Sequence, residues 1–158
     1  MRSKPSTKRL IQPDPVYHHR LVTQLISRAM KDGKKTVAQK QIYAAFSLLK
    51  AQGGSDPLSA YLTAIDNIKP QMEVRARRIG GAAYQVPTPV RPSRQESLAI
   101  RWLIVAARAL PNSQFHTFAE KLAAEITEAV NNTGSAIKKK LDIHRMAEAN
   151  KAFAHFRW

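Results

Sequence analysis

Between residues 73 and 90 the apolar pattern switches from a helical to an alternating period, and this limits the fold more than any other feature. Val74 and Ala76 alternate with Glu73, Arg75 and Arg77; beyond Gly80-Gly81, Tyr84, Val86, Thr88 and Val90 continue the alternation. The pattern predicts a two-stranded ribbon with a glycine tip, attached to the rest of the chain through Val74, Ala76 and Val86. Pro87 and Pro89 cannot donate to a ladder, so the returning strand is expected to carry a free edge. A lone hairpin is marginally stable in water, so this one must lean on helices or on a ligand.

On both sides of the ribbon the period is helical. Asp14-Pro15 reads as an N-cap with proline at the first helical position, followed by Leu21, Val22, Leu25, Ile26, Ala29 and Met30, with Gly33 as the stop. A second helix is expected from Thr36, with Gln39 completing a capping box and Val37, Ile42, Phe46 and Leu49 in the core before Gly53-Gly54. Asp56-Pro57 opens a third, carrying Leu58, Tyr61, Leu62, Ile65 and Ile68 and ended by Pro70. Ser93 with Glu96 caps a fourth, whose expected core face is Leu98, Trp102, Val105, Ala106 and Ala109. Thr117 with Glu120 caps a fifth, carrying Leu122, Ala123, Ile126 and Val130, and a sixth follows Gly134 over roughly residues 135–149. The expectation is a mainly α chain: one six-helix, bundle-like domain over 14–149, with a two-stranded hairpin protruding between its third and fourth helices. A basic arm (1–13) precedes it and an aromatic, basic tail (150–158) follows.

Lysine and arginine number 26 against 11 acids in 158 residues, a net charge of +15. Charge of that size bears on partners and favours nucleic acid or an anionic membrane. No apolar run approaches the roughly 18 residues that span a bilayer, and MRSKPSTKRL has no signal-peptide apolar stretch. No membrane partner is expected. The chain has no cysteine, which excludes disulfides and thiolate metal sites.

Catalytic chemistry has no foothold. None of His18, His19, His116, His144 and His155 pairs at the i, i+4 spacing of a helical zinc site. Gly33-Lys34-Lys35-Thr36 resembles the end of a phosphate-binding loop, but Arg28 stands where that motif needs its first glycine. Glu96 and Glu120 occupy capping positions, a structural role. No enzyme, cofactor or metal is expected.

The cations are clustered. Arg2, Lys4, Lys8 and Arg9 lie in the arm, Lys34 and Lys35 between helices, Arg75, Arg77 and Arg78 on the ribbon, and Arg91 and Arg94 at its base. Arg94, Arg101 and Arg108 recur every seven residues along one stripe of the fourth helix. Lys138, Lys139 and Lys140 with Arg145 form another patch. Forked, charge-assisted bonds to phosphate explain crowded arginines better than solubility does. Removing Arg75, Arg77 and Arg78 together is expected to flatten the salt dependence of binding by up to about three counterion units.

Trp102, spaced with Leu98 and Val105, reads as core, and its replacement by alanine is expected to cost about 3–5 kcal/mol. Two readings stand for Tyr84: stacking on a base, or packing on the helix side of the ribbon. The tail, where Phe153, Phe156 and Trp158 interleave with Lys151, His155 and Arg157, suits base stacking or docking on the bundle. Spread basic patches and a flexible arm suit folded RNA, and no recognition-helix pair, zinc finger or basic zipper favours DNA. A free-standing DNA-binding or nucleoid protein is the alternative.

Glu73-Val74-Arg75, Arg77-Arg78, Gly80-Gly81, Tyr84-Gln85-Val86-Pro87, Pro92, Arg94, Leu98-Ala99 and Arg101-Trp102-Leu103 form a set of motifs. In these the chain closely resembles the small-subunit ribosomal protein seven family. Asp14-Pro15 with Tyr17 and Leu21-Val22, then Asp32-Gly33-Lys34-Lys35, match the family's opening, and the HRMAEAN segment from His144 to Asn150, with Ala152-Phe153, its bacterial and plastid ending. The resemblance implies a six-helix domain with a β-ribbon in the head of the small subunit, in a bacterial cytoplasm or an organelle. It further implies direct, early binding to the 3′ major domain of the ribosomal RNA, which nucleates head assembly. Exit-site transfer RNA, messenger RNA and small-subunit protein eleven would lie nearby. Carried across, the resemblance makes Lys34, Lys35, Arg75, Arg77, Arg78 and Arg94 the matching RNA-contact candidates, and would place Gly80, Gly81 and Tyr84 nearest the exit-site RNA. Two departures stand out: the opening lacks the family's paired arginines near a glycine, and Thr88-Pro89 replaces an acidic, β-branched pair.

Overall fold

A computed structural model of the chain describes residues 10–52 and 56–157. Six helices and one hairpin follow in order: α1 (Arg20–Ala29), α2 (Lys35–Ala51), α3 (Pro57–Ile68), β1 (Met72–Ile79), β2 (Ala82–Pro89), α4 (Pro92–Ala109), α5 (Phe118–Val130) and α6 (Gly134–Ala149). A 3₁₀ turn, Lys151–Phe156, ends the described chain. The expected fold class is the observed one. The arm cations Arg2, Lys4, Lys8 and Arg9, together with Gly53-Gly54 and Trp158, lie outside the described residues.

α5 lies at the centre, packed against α2, α3, α4 and α6. Leu122 and Ile126 meet Phe46, Tyr61, Ile65, Ile68, Ile100 and Leu103 in one cluster, each with no exposed surface. The buried Tyr61 hydroxyl donates to the Leu21 carbonyl at 3.2 Å, which joins α3 to α1 and satisfies a group that would otherwise be costly to bury. Thr117 and Glu120 form the expected capping box: the Glu120 amide donates to Thr117 Oγ1 at 3.2 Å, and the amides of His116 and Thr117 donate to Glu120 Oε2. Those N–H groups hold the Glu120 carboxyl below the usual carboxylate range.

Three other expected caps are not formed. His18 takes a left-handed conformation (φ 50°), so no helix runs through from Pro15. α1 starts after His19, whose Nδ1 accepts from the Leu21 amide. Asp14 closes a tight turn instead, accepting from the amides of Val16 (3.0 Å) and Tyr17 (3.1 Å) and from the Tyr43 hydroxyl (2.9 Å). It is buried in doing so, and seats Tyr17 edge-on against Phe46, ring centroids 4.9 Å apart. α2 begins one residue early, at Lys35, without a side-chain cap, and Gln39 donates to the Tyr43 hydroxyl. α4 begins at Pro92 after Arg91; Ser93 caps nothing, and Glu96 binds Arg20 at 2.7 Å.

The core faces also need correction. Val37 is 55 % exposed and Ala38 is buried in its place. On α4 the buried arc is Ala99, Ile100, Leu103, Ile104, Ala106 and Ala107, while Val105 is 59 % exposed and Ala109 is exposed. Only Ala106 of the expected face is buried. Both arcs of α4 are apolar at helical spacing, so periodicity has no means of choosing between them. Trp102 is only partly buried, at the edge of the core. Trp102→Ala is therefore expected to cost about 1–2 kcal/mol, in proportion to the area it covers. A loss above about 4 kcal/mol in denaturant unfolding would return the indole to the centre of the core.

Glu125, which periodicity did not single out, is fully buried on α5. Its Oε1 accepts from the Ala136 amide at 2.8 Å, fixing the start of α6, and burial pushes its carboxyl up.

Candidate nucleic-acid interface

The ribbon pairs in an unbroken register from Met72↔Pro89 to Ile79↔Ala82. Gly80 (φ 56°) and Gly81 (φ 90°) supply the two positive φ values that a two-residue turn of this hand requires. Such a turn makes Ile79↔Ala82 a bonded pair, and bonded pairs then recur at every second position. The amide positions of 83, 85, 87 and 89 consequently face away from β1. Pro87 and Pro89 fall where a missing N–H breaks no ladder bond, and they blunt the outer edge of β2 against pairing with another strand.

The base of the ribbon is held by charge. Glu73, expected among the solvated alternates, is 7 % exposed, whereas Ala76, expected to attach the ribbon, is exposed. Arg75 Nε donates to Glu73 Oε1 at 2.6 Å and Arg94 Nε to Glu73 Oε2 at 2.7 Å, so one carboxylate ties the ribbon to the first turn of α4. Burial works to raise the Glu73 pKa, but the Arg94 and Arg75 guanidiniums outweigh it and hold the carboxyl below its usual range. Val86 is buried and Val74 partly so, as expected.

A second tether comes from α6. The Gln71 amide donates to His144 Nε2 at 3.1 Å, which requires that nitrogen to be unprotonated. Burial, and then the Lys140 charge, lower the His144 pKa below its ordinary 6.5. A depressed imidazole contributes stability that is complete above its ordinary value and is lost as pH falls through the lowered one. In an NMR titration downward from pH 7, the Gln71 amide resonance should move with the imidazole while α5 stays unchanged. A Gln71 amide indifferent to that titration would remove the tether.

The third tether is the tail. Tyr84 lies 5.2 Å from the ring of Phe153 and 5.6 Å from that of Phe156, and the 3₁₀ turn packs along β2. Of the readings open for Tyr84 and the tail, the structure takes packing within the chain, with the tail docked on the ribbon.

The candidate cations therefore separate. Arg77, opposite Tyr84, and Arg78, opposite Ala83, are adjacent on one strand and so point to opposite faces of the ribbon, and neither guanidinium has a hydrogen-bond or ion-pair partner among the described residues. Arg75 and Arg94 share Glu73. Arg91 and Arg101 are exposed at the start and middle of α4. Arg108, on the same stripe, donates to the Ala29 carbonyl at 2.9 Å and closes the end of α1. Lys138, Lys139 and Arg145 are exposed on α6, whereas Lys140 turns inward to the Asn67 carbonyl at 2.6 Å. Lys34 and Lys35 are exposed where α2 begins, and Lys34 shares a recess with Arg108.

Sequence reasoning passed over Arg20, Arg28 and Lys31. Arg28 donates to Ser97 at 2.8 Å and, with the Arg20–Glu96 pair, joins α1 to α4. Isolated basic residues on an amphipathic helix carry no local signal of such a link. Lys31 had one: it stands three residues before Lys34 around Asp32-Gly33, a turn pair.

Among the described residues no group of three or more histidine or acidic side chains is placed to hold a metal ion, and no helix is long and apolar enough to cross a membrane. A basic helical scaffold with two unneutralised arginines on a tethered ribbon defines a class: a small protein built to meet a polyanion. A model of the family described as Ribosomal protein S7p/S5e matches residues 1–151. The chain is 55 % identical over 158 residues, 100 % of each chain, to the small ribosomal subunit protein uS7 of Thermotoga neapolitana. It is 54 % identical over 157 residues, 99 % of each chain, to that of Caldicellulosiruptor bescii, and 52 % identical over the same span to that of Streptococcus suis. The chain belongs to the ribosomal protein S7p/S5e family, and is a ribosomal protein and not an enzyme.

Proposed function

We propose that the chain is a structural constituent of the small ribosomal subunit that binds the 3′ major domain of its RNA and nucleates assembly of the head. The observation that carries this is full-length likeness to proteins of that name, in a chain whose ribbon keeps Arg77 and Arg78 free of internal partners. Arg77 and Arg78 make phosphate contacts, Lys34, Lys35, Arg101, Lys138, Lys139 and Arg145 extend the contact over the domain, and the arm cations Arg2, Lys4, Lys8 and Arg9 add to it. Arg75 and Arg94 present the faces of their guanidiniums left over from Glu73, and Arg91 sits beside them. Arg108 chiefly closes α1. Gly80-Gly81, without side chains, allow close approach to exit-site transfer RNA near the messenger path. Small-subunit protein eleven is the expected protein neighbour.

Chemical protection of small-subunit RNA by the purified chain tests this. Protection confined to the 3′ major domain, together with co-sedimentation with small subunits after a moderate-salt wash, is the expected result. Protection spread evenly over the RNA, or a cellular pool found only with DNA, would replace it with the nucleoid reading.

A further inference from the structure

Where α1 and α4 end and α2 and α5 begin, a recess of about 300 Å³ opens. Its apolar surface comes from Ala29, Val37, Ala38 and Phe118. Two of the polar side chains in its walls are tied to backbone groups. Arg108 donates to the Ala29 carbonyl at 2.9 Å, and Gln41 Oε1 accepts from the Ala119 amide at 3.2 Å, so the walls are fixed. One rim is a tight turn in which the Lys34 amide donates to the Lys31 carbonyl at 2.9 Å, with Asp32 (φ 50°) and Gly33 (φ 74°) both left-handed. That turn sets Lys31 and Lys34 on one side of the recess, and Arg108 contributes a third cation. Among the described residues that line it, Asp32 is the only acid.

We propose that this recess is a socket for a single unstacked nucleotide of RNA, its base on Val37 and Phe118 and its phosphate between Lys31 and Lys34. The proposal rests on the RNA-binding reading above and adds a place where a base, and not only backbone, is engaged. An occupant must be both flat and apolar on one side and anionic on the other. An unpaired nucleotide meets both demands, and folded RNA supplies such nucleotides in loops and bulges. The volume is at the lower limit of small-ligand sites, enough for one base and too small for a segment of duplex. The exposure of Val37, at 55 %, is then explained: the residue that helical spacing would bury is the floor of a site.

The test uses the full chain with AMP and UMP as probes, and inorganic phosphate as the control, followed by amide NMR. Saturable shifts at Val37, Ala38 and Phe118 with a nucleotide, absent with phosphate at the same concentration, are expected. Equal shifts with phosphate, confined to Lys31 and Lys34, would reduce the site to a plain anion patch and overturn the proposal. Saturation by an acidic, leucine-containing peptide and not by nucleotides would overturn it in favour of a protein partner. A second arm measures small-subunit RNA binding by Val37→Asn, a substitution at an exposed position that keeps the charge. Affinity is expected to fall about fivefold to tenfold, the range of one lost base contact, with the salt slope unchanged. Equal affinity of V37N and the parent sinks the socket alone, whereas absence of RNA binding by the parent chain sinks the RNA reading itself.

Discussion

Phe46→Ala should lower the free energy of unfolding by about 3–5 kcal/mol, the range for deleting a fully buried aromatic ring. The ring has no exposed surface and lies where three elements meet. Its centroid is 4.9 Å from that of Tyr17, in the turn before α1, and 5.6 Å from that of Tyr61 on α3. Neither neighbour is free to collapse into the space. The Tyr17 backbone is held by the hydrogen bond its N–H donates to Asp14 Oδ2, and the Tyr61 hydroxyl donates to the Leu21 carbonyl. A domain of this size has a total stability of about 5–15 kcal/mol, so the loss is a large fraction of it. Denaturant unfolding reads the effect directly. Val37→Ala on the same helix is the control, expected to stay within about 0.5 kcal/mol because the side chain is mostly exposed. A Phe46→Ala loss below about 1 kcal/mol would mean that the ring is not enclosed as described.

The second large effect falls on binding. Replacing Arg77 and Arg78 together by glutamine should lower the slope of log affinity against log salt by about two units, and by somewhat less if the contacted RNA is single-stranded. By the same law each lost phosphate contact costs about tenfold near 0.1 M salt. From the sequence alone, Arg75 was a third equivalent. Its bond to Glu73 changes that, because the carboxylate already neutralises part of its charge. Arg75→Gln by itself is expected to alter the slope by well under one unit, and to act mainly by leaving Glu73 to Arg94. An unchanged slope in the Arg77/Arg78 double variant would show both guanidiniums to be solvated in the complex.

The ribbon was legible because two local rules agree there: the alternation sets two strands, and adjacent glycines meet a turn that needs two positive φ values. The fifth helix was legible for the same kind of reason, since Thr117 and Glu120 satisfy each other within three residues. The misread elements share the opposite property. Asp14 looked like a helix cap, but its partners include Tyr43, far along the chain on α2. Ser93 and Glu96 had capping spacing, yet Arg20 on α1 offered Glu96 a charged partner. Glu73 looked solvated by alternation, and two arginines made its burial favourable.

By itself, then, the order of residues determined what short-range physics controls: six helical stretches, one ribbon with its turn, a cation excess that needs a polyanion, and motifs that resemble one ribosomal family. Only the tertiary structure decided which apolar arc of α4 is buried, because two arcs of equal spacing differ only in what packs against them. It also decided which arginines remain free. A guanidinium is wholly available to RNA only where no carboxylate or carbonyl of the same chain takes up part of its donors, and that depends on contacts between residues such as Glu73 and Arg94, or Ala29 and Arg108, that no local pattern pairs.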